Sequence, residues 1–170
     1  MEIHKKIFYL VLIIIWMIIV FMFSNQNGEE SKKTSNSITK IIVQIITYNQ
    51  DITEARRTEV MNDIDYIVRK CAHFSIYLLG GILIFNYINT FDLELKKKIV
   101  ISILIGVLYA SFDEFHQFFI SERSGRIFDV CIDSLGVVVG VNMISLVKKW
   151  GNTYEYKSCR NDRYTCFKHK

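Results

Sequence analysis

The chain has no proline, so no residue in it is barred by a missing backbone N–H from an uninterrupted helix. It also lacks an internal repeat and every complete catalytic signature we sought: H-E-x-x-H, G-x-S-x-G and the P-loop are all absent. Its four cysteines do not make a disulfide framework or a zinc site, because Cys71 and Cys131 fall in apolar segments and Cys159 and Cys166 in a polar tail, so all four read as free thiols. A net charge of +4 gives no reason to expect a nucleic-acid partner.

About half of the residues are hydrophobic and the mean hydropathy is +0.22. Those totals fit a compact helical domain, but their distribution does not. An apolar run from Ile7 to Phe23 of roughly 17 residues is just long enough to cross a bilayer core. It follows Lys5 and Lys6 as a signal peptide would, yet ends F-M-F-S-N-Q with no small-x-small cleavage site, which marks an uncleaved anchor. Three further spans are expected near 71–91, 99–120 and 127–147. Between the first and second, Ile38, Ile41, Ile42, Ile45 and Ile46 recur at helical spacing on a stripe too short to span, suiting a helix that lies at the interface. Asp51, with Glu54 three residues on, suits the N-cap of a further helix whose apolar face is Ile52, Val60, Ile64 and Ile67; this helix should lie on the surface and feed the second span. The expected fold is therefore an all-α polytopic membrane protein, with four transmembrane helices and an additional outer amphipathic helical segment over 1–150. Residues 151–170 are expected to form a basic, poorly ordered cytoplasmic tail.

Charge sets the expected orientation. With the N-terminus inside, the inner segments hold 12 Lys and Arg against 5 acids, and the outer loops 9 against 8. Both ends should be cytoplasmic. Lys70, His73 and Tyr77 then open the second span on the outer side, Asp113, Glu114, His116 and Gln117 close the third there, and Arg123, Arg126, Asp129 and Asp133 begin the fourth.

This concentration is costly, at roughly 2.5–3.5 kcal/mol per charge near a membrane centre and less towards its surface. Asp113, His116 and Gln117 are related by steps of three and four and share a helix face, while Glu114 turns away by about 100° towards an interfacial Lys or Arg. Asp129, Asp133, Gly136 and Gly140 form one stripe, carboxylate above and glycine below. Helix-terminus stabilisation accounts for Asp129 but not for Asp133, more than one turn in. Gly136 and Gly140, with Gly80 on the second span, let neighbouring helices approach closely. Arg123 and Arg126 are placed to anchor the loop to lipid phosphates, to neutralise the acids or to grip an anionic group. Two imidazoles and the carboxylates have metal-ligand chemistry, but their spacing is no recognised ligand signature, so neither metal nor other cofactor is expected.

At these residues the chain resembles the VanZ-like family of small bacterial membrane proteins, whose namesake is associated with resistance to the glycopeptide antibiotic teicoplanin. The similarity runs through F-M-F-S-N-Q-N-G-E-E-S, R-K-C-A-H-F-S-I-Y-L-L-G and D-E-F-H-Q-F-F-I-S-E-R-S-G-R-I-F-D-V-C-I-D-S-L-G. Ser121-Glu122 departs from the Pro-Gly turn common there. The resemblance implies a motif at Lys70, His73, Tyr77, Asp113, Glu114, His116, Gln117, Arg123, Asp129, Asp133 and Gly136. It also implies action at the outer leaflet of a bacterial membrane, with membrane lipids, a lipid-linked cell-wall precursor or the lipoglycopeptide itself as partners and a homo-oligomer allowed. Three functions stay open: a non-transporting envelope protein that limits access of the antibiotic to its target, an intramembrane enzyme on a lipid or lipid-linked precursor, and a small oligomeric channel or transporter.

Overall fold

The computed structural model describes residues 2–26, 28–48, 53–119 and 127–161. They form five helices in the order α1 (Glu2–Ser24), α2 (Gly28–Ile46), α3 (Glu54–Ile88), α4 (Leu95–Gln117) and α5 (Ile127–Asn161). Four are long and apolar enough to cross a membrane: Ile3–Ser24, Glu54–Ile88, Leu95–Gln117 and Phe128–Trp150. The fold is all-α and polytopic, with α2 as the helix that does not span.

Apolar side chains cover both the inside and the outside of this bundle. α1 buries Trp16, Val20 and Ser24, a line of i, i+4 steps, packs the partly buried Ile13 against the core, and exposes Ile7, Val11, Ile14, Ile18 and Met22. Such a surface is insoluble in water and suited to lipid. The interior is a cluster of Trp16, Val20, Tyr77, Ile84, Phe85, Ile88, Ala110, Val137 and Val141. Polar side chains in the spans close locally onto the preceding turn: Ser75 donates to the Cys71 carbonyl, Ser102 to Lys98, Ser111 to Val107 and Asn142 to Val138. Each such bond removes a donor that lipid cannot satisfy.

Glycine fixes the central contact. A Cβ on Gly136 would lie 2.5 Å from the Phe74 carbonyl oxygen, and one on Gly140 would run into the Leu78 backbone. Because 74 and 78 are one turn apart, as 136 and 140 are, α3 and α5 run parallel in steady register. A Cβ on Gly81 would meet the Val137 carbonyl oxygen at 2.5 Å, and one on Gly80 the Trp16 ring. α1 is fastened there too: the Trp16 indole donates to the Ile76 carbonyl at 2.8 Å, and the Tyr109 hydroxyl donates to the Met17 carbonyl at 2.9 Å.

Several boundaries differ from expectation. The surface helix near 51–67 and the second span are one unbroken helix of 35 residues, about 52 Å long against a core of about 30 Å. Its first turns therefore project from the bundle rather than bending onto the membrane, since neither proline nor a glycine pair interrupts the backbone there. Asp51 lies outside the described residues; the N-cap is Thr53, whose side chain makes no capping bond. At the other end α5 continues to Asn161, past the expected start of the tail at 151, and residues 162–170 lie outside the described part.

α2 packs through its polar side. Ser35, Thr39 and Val43 are buried, whereas Ile38, Ile41, Ile45 and Ile46 are exposed. The buried face centres on Asp65 of α3, which accepts from Ser35 and, at 3.4 Å, from Thr39 and pairs with Arg69 at 3.3 Å. The isoleucine stripe is thereby turned outward, as a helix at the lipid interface requires.

Candidate functional site

The polar end of the bundle lies where α3 and α5 have just begun to pack and α4 ends. The parallel register of α3 and α5 puts Lys70 beside Asp129 and His73 beside Asp133. Lys70 Nζ forms an ion pair with Asp129 Oδ1, and His73 Nδ1 lies 3.7 Å from Asp133 Oδ1. From α4, Asp113 enters the same space, its Oδ2 accepting from Gln117 Nε2 at 3.2 Å one turn on. One donor atom each from His73, Asp113 and Asp133 lie within 4.8 Å of one another. Three helices thus deliver three side chains to one point.

The enclosure of this point is unequal. Asp133 is 1% exposed and Asp113 5%, while the His73 side chain keeps 25% of its surface. The histidine is therefore the one member of the set reachable from outside. Tyr77, one turn below it, is fully buried; its hydroxyl is turned to Asp113 and Asp133, and its ring lies 6.3 Å from that of Tyr109. Neither that hydroxyl nor Asp133 Oδ2 meets hydrogen-bond geometry with any described residue. Two buried polar atoms without such a bond, side by side, are uncommon in a folded chain, where the great majority of buried polar atoms are satisfied.

Other expected members sit elsewhere. His116 stacks on Phe21 of α1 at 5.1 Å and 25° and is not part of the three-donor set, because a step of three from Asp113 swings it onto the face that meets α1 rather than α3 and α5. Glu114 is buried at 3% exposure; α4 is contacted on more than one side, so its phase alone does not decide which residues meet solvent. Arg123 and Arg126 lie outside the described residues. The basic partner seen at the site is Lys70.

His73 also belongs to a cleft of about 200 Å³ between α1, α2 and α3. Val20, Phe23, Ile38, Val68, Ala72 and Ile76 make its apolar walls, and Gln26, Ser35, Arg69 and His73 supply its polar atoms. Sequence reasoning missed this cleft and Tyr109. The i,i+4 pair Ser35 and Thr39 opposite a lone Asp65 was the available signal for how α2 docks.

A polytopic bundle with a histidine–carboxylate cluster beside an apolar cleft is the class that fold and site define. A family model described as VanZ/LLP1 matches residues 8–148, and the chain belongs to that family. No curated protein and no solved structure shows significant similarity to it.

Proposed function

We propose that this chain acts in the bacterial cell membrane, with both ends cytoplasmic and the polar end outward, by binding an outer-leaflet amphiphile and so limiting access of a lipid-tailed glycopeptide such as teicoplanin to its target. The observation that carries this reading is that His73 is shared between the apolar cleft and the Asp113/Asp133 cluster. A ligand with a hydrocarbon part in the cleft has its polar part at the histidine. The cleft volume of about 200 Å³ is below the roughly 300–1,000 Å³ of pockets that enclose a whole small molecule, which fits the end of one acyl chain rather than a complete ligand. Its opening between helices suits an occupant that arrives from the lipid.

The test rests on Asp133→Asn, which keeps the volume and removes the charge. The variant should insert at near-normal abundance yet lose the teicoplanin protection that the wild type confers on a sensitive host, with vancomycin sensitivity little changed in either case. Full protection at equal abundance would make Asp133 structural and remove the main support for the reading.

The pairing of His73 with Asp133 at 3.7 Å also favours a second reading, an intramembrane enzyme in which the carboxylate orients the imidazole as a general base. Mass analysis of membrane lipids and wall precursors with and without expression separates the two. Binding leaves the set of masses unaltered, and turnover adds a new one.

A further inference from the structure

We propose that His73, Asp113 and Asp133 bind a divalent transition-metal ion, a site that stands whether or not an acyl chain occupies the neighbouring cleft. An imidazole and two carboxylates are a donor set suited to Zn²⁺, Mn²⁺, Fe²⁺ or Co²⁺. Ligands about 2.0–2.2 Å from such an ion stand roughly 3–3.5 Å apart. His73 Nδ1 and Asp133 Oδ1 are at 3.7 Å and the whole set is within 4.8 Å, so small side-chain rotations close it without moving a helix.

A second observation points the same way. Asp133 is 1% exposed and its Oδ2 finds no hydrogen-bond partner among the described residues, while the fully buried Tyr77 hydroxyl is turned to Asp113 beside it. Lys70 is ion-paired with Asp129 and so shares its charge between that acid and Asp133. Two ionised carboxylates this close repel; a proton on one of them, a charged His73 imidazole or a bound cation relieves that, and one divalent ion balances both at once. Gln117 holds Asp113 from one turn away, the outer support that metal carboxylates receive. Three protein ligands leave a further coordination position. With His73 also on the cleft wall, an oxygen of a phosphate or carboxylate headgroup is the chemical group that position takes.

Full-length protein, purified in detergent and stripped with chelator, would be titrated with Co²⁺ and Zn²⁺. We expect one equivalent per chain and visible cobalt absorption bands of low-symmetry coordination. Both should weaken at least tenfold in His73→Gln and Asp133→Asn and stay unchanged in His116→Gln, whose imidazole lies outside the set. X-ray absorption of the zinc-loaded wild type needs no substitution and so holds even if a variant misfolds; it should show one imidazole among light-atom ligands. No stoichiometric binding by the wild type, a zinc site without imidazole, or equal binding in the substituted chains, meaning an adventitious ion only, would overturn the proposal. Loss of antibiotic protection alone bears on the amphiphile reading and leaves the metal result as it stands.

Discussion

Asp133 shows how far a single residue is legible and where legibility ends. Its distance into α5 marks it as an acid that capping does not explain, and it is nearly fully buried against His73. The same helical-wheel reasoning does not by itself say what surrounds Glu114 and His116. A wheel gives the angles between residues, but it does not say which neighbouring helix fills each sector; α4 buries Glu114 and gives His116 to Phe21 of α1. Asp65 went unnoticed because it lies in a charged stretch, yet it is the acceptor that holds α2 to α3 through Ser35 and Thr39. Asp65→Ala removes the shared acceptor of Ser35 and Thr39 and the partner of Arg69, and should cost about 1–3 kcal/mol. A cysteine placed at the buried position Thr39 would report it by reacting with maleimide faster in the Asp65→Ala background than in the parent; equal rates would mean that α2 is held by other contacts.

At the scale of elements, spans were legible because length and hydropathy are local properties, and so was the glycine stripe, because its period is that of a helix. Continuity was not. The stretch before the second span is amphipathic and reads as a surface helix, but nothing in it breaks the backbone, so α3 runs straight through. The glycines differ in what opposes them. Gly136 and Gly140 face the backbone of α3, which cannot rotate aside, whereas Gly106 faces the side chain of Val137. Gly140→Ala should therefore lower the amount of folded protein more than Gly106→Ala, with overpacking of about 1–3 kcal/mol at the former, and Gly136→Leu should reduce it further still. Thermal stability in one detergent orders the three variants; a Gly106→Ala chain as weak as Gly140→Ala would show that side-chain relief is not available.

For the whole molecule, the question is which way the bundle faces, and the site inherits the answer. α1 and α4 run towards the polar end and α3 and α5 away from it, so residues far apart in sequence, Lys70 to Gln117 to Asp133, gather at one end by the alternation of the spans. That gathering is foreseeable from topology alone. The convergence of His73, Asp113 and Asp133 to within 4.8 Å is not, because it depends on the parallel glycine register of α3 and α5 and on the rotation of α4, neither of which a sequence pattern specifies; for the same reason no ligand spacing announces the proposed metal site. The lysine and arginine bias favours the polar end outside, and two solvent positions flank the bundle at its opposite ends. Glu59 is on the projecting part of α3, with its side chain 61% exposed, and Lys97 is in the first turns of α4, 65% exposed. In a chain whose native cysteines are replaced, including the exposed Cys71 and Cys131, a cysteine at 59 should react with a membrane-impermeant maleimide in intact cells, and one at 97 only after permeabilisation. The reverse pattern would put His73, the cleft and the carboxylates on the cytoplasmic side, where an outer-leaflet amphiphile cannot reach them, and the proposed protection would lose its route.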